Sequence, residues 1–200
     1  MSKHATPDHP IHELLSKRWS PYVFADRPVA PADLNSLFEA ARWAASSYNE
    51  QPWRFIVAAR GQDAAFKKLL GCLVEANQAW ARQAPVLALG VFARTFQRNG
   101  KPNKAAAHDL GLAAASLTFE ATARGLCVHQ MIGIDPEQAR AAYSIPEDHE
   151  AFTALAIGYP GDPAQAPEAL RGRDTAPRAR KPLAEFVFGE SWGVAADLAR

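Results

Sequence analysis

The sequence has little cysteine and almost no net charge. Only Cys72 and Cys127 occur among its 200 residues, and neither belongs to a C-x-x-C pair or to a Cys/His cluster. A disulfide framework and a structural zinc site are therefore not expected, and unpaired cysteines are typical of a reducing cytoplasm. Lys and Arg number 22 against 21 Asp and Glu. This balance argues against nucleic-acid binding, which usually requires a basic face.

Long apolar runs and glycine-rich phosphate loops are also missing. No apolar run approaches the roughly 18 residues that a membrane helix needs, and residues 1–12 lack the apolar segment of a signal peptide. We therefore expect a cytoplasmic protein with no membrane partner. Neither G-x-G-x-x-G nor G-x-x-x-x-G-K-S/T occurs, so arginine side chains would have to hold any bound phosphate.

What is present is the composition of a globular domain, with 48% hydrophobic and 22% charged residues. Apolar periodicity and turn residues predict alternating helices and strands, which indicates a layered α/β or α+β sandwich. Asp63 is the expected cap of one helix, and Gly125 the left-handed end of another. The predicted helices are 11–18, 31–46, 63–74, 104–124 and a short one opened by Asp135-Pro136, and the predicted strands are 53–59, 86–92, 126–132 and 151–159.

Composition divides the chain into three regions. They are a flexible tail at 1–9, a folded domain at 10–159 and an extended arm at 160–200. The histidines of the tail region, His4, His9 and His12, are more typical of a flexible terminus than of a metal site. Residues 160–182 contain five prolines and no apolar periodicity, which favours an arm over core. The apolar patch Phe186-Val187-Phe188 with Trp192 is expected to pack on a partner surface.

Basic residues cluster near both ends of the chain. Lys17 and Arg18 precede Ser20, and Arg178, Arg180 and Lys181 lie near the C-terminus. Guanidinium groups match phosphate oxygens bidentately, so arginines pooled from distant segments suit a single phosphate group. The alternative is that these are solvated loop charges, and the residues alone do not separate the two.

The turn at 44–53 is rich in hydroxyl and carboxamide side chains. Carboxamides offer paired donors and acceptors, which the edge of a planar heterocycle requires. The plainer alternative is a polar helix end followed by a turn. Turn chemistry, however, requires neither Gln51 nor Trp53 at these positions.

Four segments together resemble the FMN-dependent nitroreductases. Arg18-Trp19-Ser20-Pro21-Tyr22-Val23-Phe24 is similar to the family motif R-R-S-x-R-x-F, and Ala45 through Trp53 is similar to P-S-x-x-N-x-Q-P-W. Gly125 through Asp135 resembles the strand whose backbone passes the flavin ring, and Arg178-Ala179-Arg180-Lys181-Pro182 resembles a basic pair before proline. The four segments follow the family order between about residues 11 and 188.

The resemblance implies an α+β fold, a three-layer α/β/α sandwich with a central mixed sheet. It also implies a homodimer with FMN at the interface and a C-terminal arm on the partner subunit. Arg18 with Arg178 or Arg180 would hold the FMN phosphate, with Lys181 as a substitute. Ser20 and Tyr22 would face the ribityl chain and the pyrimidine edge, for which Asn77 is a further candidate. From the other subunit would come Ser46, Ser47 and Asn49, with Gln51 in the same turn. The backbone of Gln130, Met131, Ile132 and Gly133 would pass the ring near N5.

Two positions depart from the family pattern. Tyr22 stands where the motif usually has Arg or Lys, which removes a fixed positive charge, and Ala45 replaces the motif proline. The hydroxyl of Tyr22 can face the pyrimidine edge, or its ring can simply pack the helix end against the sheet; the sequence leaves both open.

The implied function is hydride transfer from NAD(P)H through flavin N5 to a small organic acceptor, such as a nitroaromatic or a quinone, by a ping-pong mechanism. No catalytic side chain and no metal are implied, because the cofactor carries the chemistry. Two alternatives remain: a flavin-binding sensor without turnover, and other flavin chemistry on the same scaffold, such as dehalogenation or flavin fragmentation.

Overall fold

A computed structural model describes residues 3–198 of the chain; the outermost residues of the predicted tail and arm, 1–2 and 199–200, lie outside the described residues. The helices are α1 (Glu13–Lys17), α2 (Pro31–Arg42), α3 (Asp63–Gly71), α4 (Glu75–Ala81), α5 (Ala106–Ala123), α6 (Pro136–Tyr143) and α7 (Glu168–Thr175). The strands are β1 (Trp53–Ala59), β2 (Val86–Ala93), β3 (Cys127–Met131) and β4 (His149–Gly158). Short 3-10 turns occur at Ser47–Asn49, Pro163–Gln165 and Leu183–Glu185.

The four strands form one sheet in the order β1-β2-β4-β3, and every neighbouring pair is antiparallel. The prediction of a mixed sheet is therefore wrong for the chain described at 3–198. The mixed sheet was implied by the family resemblance, and parallel strands would need crossover connections. Here a connection returns to the end of the sheet where it began: Ala59, at the end of β1, pairs with Val86, at the start of β2.

Helices cover both faces of the sheet, which confirms the three-layer α+β sandwich. One buried cluster joins the sheet to α3, α4 and α6, and the other joins it to α2 and α5. Strand β2 serves both clusters because successive side chains of a strand point to opposite faces. Leu87 and Leu89 belong to the first cluster, whereas Val86 and Ala88 belong to the second. No helix within residues 3–198 is long and apolar enough to span a membrane.

The predicted helix at 63–74 is interrupted, and a second helix, α4, was missed. Leu73 forms an isolated bridge with Ile134, and the backbone N–H of Val74 donates to the carbonyl of Gly133 at 3.1 Å. These long-range hydrogen bonds hold Val74 in an extended conformation, with ψ of 150°. Tertiary contacts therefore outweigh the apolar periodicity that favoured one continuous helix.

The C-terminal region is less extended than predicted. Residues 168–175 form α7, which the proline-rich composition concealed, and Asp174 of this helix is buried. The N-terminal residues are not free either, because the Lys3 ammonium donates to the carbonyl of Asp174 at 2.7 Å and Ala5 N–H donates to the carbonyl of Ser16 at 2.9 Å. A hydrogen bond thus joins the described N-terminal residues to α7.

Helix ends show which aspartates act as caps. The Asp135 carboxylate accepts a hydrogen bond from the backbone N–H of Gln138 at 2.9 Å and begins α6, as predicted. Gly125, after α5, has the expected left-handed φ of 73°. Asp63 is instead the first residue of α3, which has no side-chain cap hydrogen bond, so the prediction that Asp63 caps this helix is wrong.

We predict that Asp135→Ala lowers the free energy of unfolding by about 1 kcal/mol, the usual effect of losing an N-cap. Asp63→Ala is the matched control, since it removes an acidic side chain from a first helical turn without breaking a cap hydrogen bond. Urea denaturation of both variants measures the difference. Equal losses would show that the Asp135 hydrogen bond does not stabilise α6.

Candidate functional site

A basic cavity brings the two ends of the sequence together. Arg18, which ends α1, lines a cavity of about 420 Å³ with three cations from beyond α7, Arg178, Arg180 and Lys181. One carboxylate, Asp8, also lines it. Arg18 and the C-terminal basic cluster therefore line one cavity, whereas Lys17 is absent from its lining. Lys181 is exposed and pairs with Glu185 at 3.9 Å, as a solvated loop charge does.

The guanidinium groups of this basic cavity repel one another. Burial lowers the pKa of Arg18, and the nearby charge of Arg180 lowers it further. The pKa of Arg178 is lowered by burial and by the charges of Arg18 and Arg180. Arg178 donates to two backbone carbonyls, those of Lys3 at 2.9 Å and of Ser16. Because neutral carbonyls leave the positive charge uncompensated, the cavity favours an anion.

A second cavity, of about 250 Å³, shares Arg18 and contains two further predicted residues, Ser20 and Gln130. Arg18 donates to the Ser20 hydroxyl at 3.2 Å. The Gln130 carboxamide donates to the Thr118 hydroxyl of α5 at 2.9 Å and to the carbonyl of Ala114 at 3.2 Å. Arg18 therefore connects a basic cavity to a cavity lined by neutral hydrogen-bonding groups.

The end of β3 is braced by Asn77 of α4. The Asn77 carboxamide donates to the Gly133 carbonyl at 2.9 Å and accepts from the indole N–H of Trp80 at 3.3 Å. A Cβ atom at Gly133 would lie only 2.4 Å from the Asn77 nitrogen, so any larger residue would displace the Asn77 carboxamide. The Met131 side chain is buried, and that of Ile132 is 64% exposed.

Tyr22 lies in an aromatic cluster. Its ring makes edge contacts with Trp80, at a centroid distance of 5.1 Å, and with His129, at 4.6 Å. The Arg173 guanidinium lies 4.9 Å from the same ring. His129 lies 2.8 Å from the Pro21 carbonyl, to which its Nδ1–H donates, and burial lowers its pKa. These contacts agree with the packing alternative for Tyr22, and a role of its hydroxyl at a pyrimidine edge stays a prediction.

The turn that contains Ser46, Ser47, Asn49 and Gln51 has an unusual backbone. Tyr48, Asn49 and Gln51 have positive φ values of 55°, 56° and 51°. Such left-handed conformations are uncommon outside glycine and persist only where the surroundings hold them. The Asp109 carboxylate accepts the N–H of Ser47 at 3.0 Å, and the Ser46 hydroxyl accepts the N–H of Gln51 at 3.1 Å.

The structure therefore joins the predicted site residues in three groups. The basic and neutral cavities contain Arg18, Ser20, Gln130, Arg178, Arg180 and Lys181; the brace contains Asn77 and Gly133, adjoining Met131 and Ile132; and the turn contains Ser46, Ser47, Asn49 and Gln51. The turn lines neither Arg18 cavity, and its service to another subunit stays a prediction.

Other kinds of chemistry find no support in the described part of the chain. Both cysteines are buried and free, and burial raises the pKa of Cys127 to about 12, so its thiol stays protonated at neutral pH. Residues 3–198 contain no cluster of His, Cys, Asp or Glu that could hold a metal ion.

Comparison with known proteins identifies the family. The family model described as the Nitroreductase family matches residues 15–159. This chain belongs to the nitroreductase family.

Two individual proteins and one solved structure are also similar to this chain. An uncharacterised 15.4 kDa protein of Mycolicibacterium smegmatis is 37% identical over 147 residues, which are 70% of this chain and 97% of that protein. A Streptomyces coelicolor protein provisionally named NADH dehydrogenase/NAD(P)H nitroreductase is 28% identical over 71% of this chain and 79% of its own length. A crystal structure described as an oxidoreductase containing FMN superposes with a TM-score of 0.87 and 30% identity, covering 94% of this chain and 95% of that one.

Sequence reasoning missed one residue on which the nitroreductase motif depends. The buried Asp174 carboxylate accepts the backbone N–H of Tyr22 at 2.8 Å and that of Val23 at 2.9 Å. It thereby ties α7 to the segment that follows Arg18 and Ser20. No sequence pattern indicated this role of Asp174, because a lone aspartate in the basic stretch Arg171–Arg180 is typical of an exposed surface charge.

We predict that Asp174→Ala destabilises the fold, because it leaves two largely buried N–H groups without acceptors, at a cost of about 1–3 kcal/mol each. Urea denaturation measures the loss, and hydrogen exchange should be faster at the amides of Tyr22 and Val23. Asp162→Ala is the control, since its exposed carboxylate accepts one backbone N–H, that of Ala164 at 3.0 Å, and the Gln165 carboxamide at 3.5 Å. If the Asp174 variant lost no more stability than this control, the buried bonds would not hold the segment.

Proposed function

We propose that this oxidoreductase binds one FMN per subunit and that Arg18, Arg178 and Arg180 hold its phosphate, with Lys181 beside them. The observation that carries the proposal is the basic cavity, where the mutually repelling guanidinium groups form no ion pair within residues 3–198, while Lys181 pairs with Glu185 at 3.9 Å. A phosphate dianion satisfies such a group of charges bidentately. The FMN-containing relative, at a TM-score of 0.87, supports the choice of this anion.

The remaining predicted residues fit the rest of the cofactor. Ser20 and Gln130 line the neutral cavity next to Arg18 and offer hydroxyl and carboxamide groups. The backbone from Gln130 to Gly133, braced by Asn77, supplies main-chain donors for the ring near N5. Tyr22 would contribute at the pyrimidine edge.

We further propose a homodimer in which each turn at 46–51 completes the site of the other subunit. The strained backbone of this turn supports a functional role, since strain persists at sites where it serves one. The arm at 160–200 would pack on the partner beyond the domain at 10–159. Its apolar side chains support this role, because Phe186 is 58% exposed and Trp192 is 92% exposed in the single chain.

When bound, FMN supplies the redox chemistry, taking hydride from a reduced nicotinamide and passing it to an acceptor. We propose NADH or NADPH as donor and a small nitroaromatic or quinone as acceptor, which take the same face in turn by a ping-pong mechanism. The chain binds and orients these groups, and its buried thiols take no part. The two free cysteines support a cytoplasmic location.

Arg18→Ala should weaken FMN binding about ten- to hundredfold, since a charge-assisted hydrogen bond contributes roughly 1.5–3 kcal/mol. Riboflavin, which lacks the phosphate, should lose much less. Fluorescence titration of the apoprotein with both flavins measures the two losses.

Arg60→Ala is the control for this experiment, because Arg60 is an exposed arginine that pairs with Asp26 away from the basic cavity. Its affinity for both flavins should be unchanged. Equal losses for FMN and riboflavin in Arg18→Ala would place Arg18 away from the phosphate, and a protein that binds neither flavin would refute the proposed function.

A further inference from the structure

The loop between β2 and α5 forms an ordered hairpin at residues 94–103. Phe96 N–H donates to the Lys101 carbonyl at 2.8 Å, and Asn103 N–H donates to the Arg94 carbonyl at 2.8 Å. An isolated bridge between Thr95 and Pro102 lies between them. Arg98 lies near the tip of this hairpin, in a position that backbone hydrogen bonds define.

The hairpin packs against the turn at 46–51. The guanidinium of Arg98 lies 4.0 Å from the ring of Tyr48 and 5.2 Å from that of Phe96, and these two rings make an edge contact at 5.9 Å. The Glu50 carboxylate accepts the N–H of Gln97. Tyr48 is 74% exposed, so this aromatic and cationic group faces outward.

Residues 94–104 are strongly basic in a chain of nearly neutral charge. The segment holds four cations and no acid, and only Arg94 is paired, with Glu150 at 3.1 Å. Within residues 3–198, Arg98, Lys101 and Lys104 form no ion pair, and the Arg98 guanidinium has no hydrogen-bond acceptor. A guanidinium stacked on a ring keeps its N–H donors at its edge, where they can contact a phosphate bidentately.

We propose that Arg98, assisted by Lys101 and Lys104, binds the pyrophosphate of the reduced nicotinamide dinucleotide. This inference rests on the proposed function, in which the turn at 46–51 faces the flavin of the partner subunit, because the hairpin then lies at the mouth of that site. The chain has no glycine-rich loop for a dinucleotide, so local cations are the groups available to bind the donor phosphates. The arginines of the basic cavity are assigned to the flavin phosphate and leave this role to the hairpin.

The test compares donors with and without phosphate groups. In Arg98→Ala, kcat/KM for NADH should fall about ten- to hundredfold through KM. For 1-benzyl-1,4-dihydronicotinamide, which has no phosphate, kcat/KM should be unchanged. Arg98→Lys should recover part of the loss, since it keeps the charge but not the fork. A larger loss for NADPH than for NADH would assign the 2′-phosphate to Arg98 in place of the pyrophosphate and overturn the proposal.

A binding measurement gives a readout besides turnover. Calorimetric titration of the flavin-loaded protein with ADP-ribose should show the same weakening in Arg98→Ala. Lys67→Ala is the control, because it removes an exposed charge from α3, which packs on the face of the sheet opposite to α2 and α5. Equal kcat/KM losses for both donors, or unchanged ADP-ribose affinity, would overturn this inference alone. Failure of the wild-type protein to bind FMN, or of both donors to reduce it, would overturn the proposed function and this inference with it.

Discussion

The candidate site depends on the hydrogen bonds that the buried Asp174 carboxylate accepts. It accepts two backbone N–H groups of the Tyr22-Val23 segment and so fixes α7 to the chain just after Arg18. Arg178 and Arg180 follow a few residues later, so the same anchor places them opposite Arg18. The N-terminal residues close the arrangement, because Lys3 bonds to the Asp174 carbonyl and its own carbonyl accepts from Arg178. A site assembled from both ends of the chain thus rests on hydrogen bonds that span nearly its whole length.

The electrostatics of the basic cavity follow from how its arginines are held. Arg178 is positioned by neutral carbonyls and Arg18 by a hydroxyl, so these hydrogen bonds do not neutralise either positive charge. The cost appears as lowered arginine pKa values, caused by burial and by neighbouring positive charge. The phosphate of the proposed cofactor would offset this repulsion, and a ligand that binds only the folded state stabilises it. In this proposal FMN binding and folding stability are thermodynamically linked.

Local patterns predicted most elements, whereas long-range contacts decided the rest. Strand β1 was predicted at its observed bounds, and α5 within two residues, because apolar period and end residues agree there. The break before α4 could not be predicted, since it depends on the hydrogen bond from Val74 to Gly133. The antiparallel sheet was missed because the mixed sheet was taken from the family resemblance, and local patterns do not show at which end of the sheet a strand begins. The clustering of basic residues singled out Arg18 and Arg178, and the family resemblance assigned them to FMN, but Asp174 has no local signature.

The central claim is that residues of two subunits form each FMN site, and mixed dimers test it most directly. One subunit carries Arg18→Ala and the other carries Asn49→Ala, each with its own affinity tag, so that only mixed dimers are purified. If Arg18 of one subunit and the turn of the other build one site, the mixed dimer contains one intact site and one doubly altered site. Its FMN content at limiting flavin should then reach about half that of the wild type, above that of either altered homodimer. A mixed dimer with only the mean content of the two homodimers would show that each site is built within one chain.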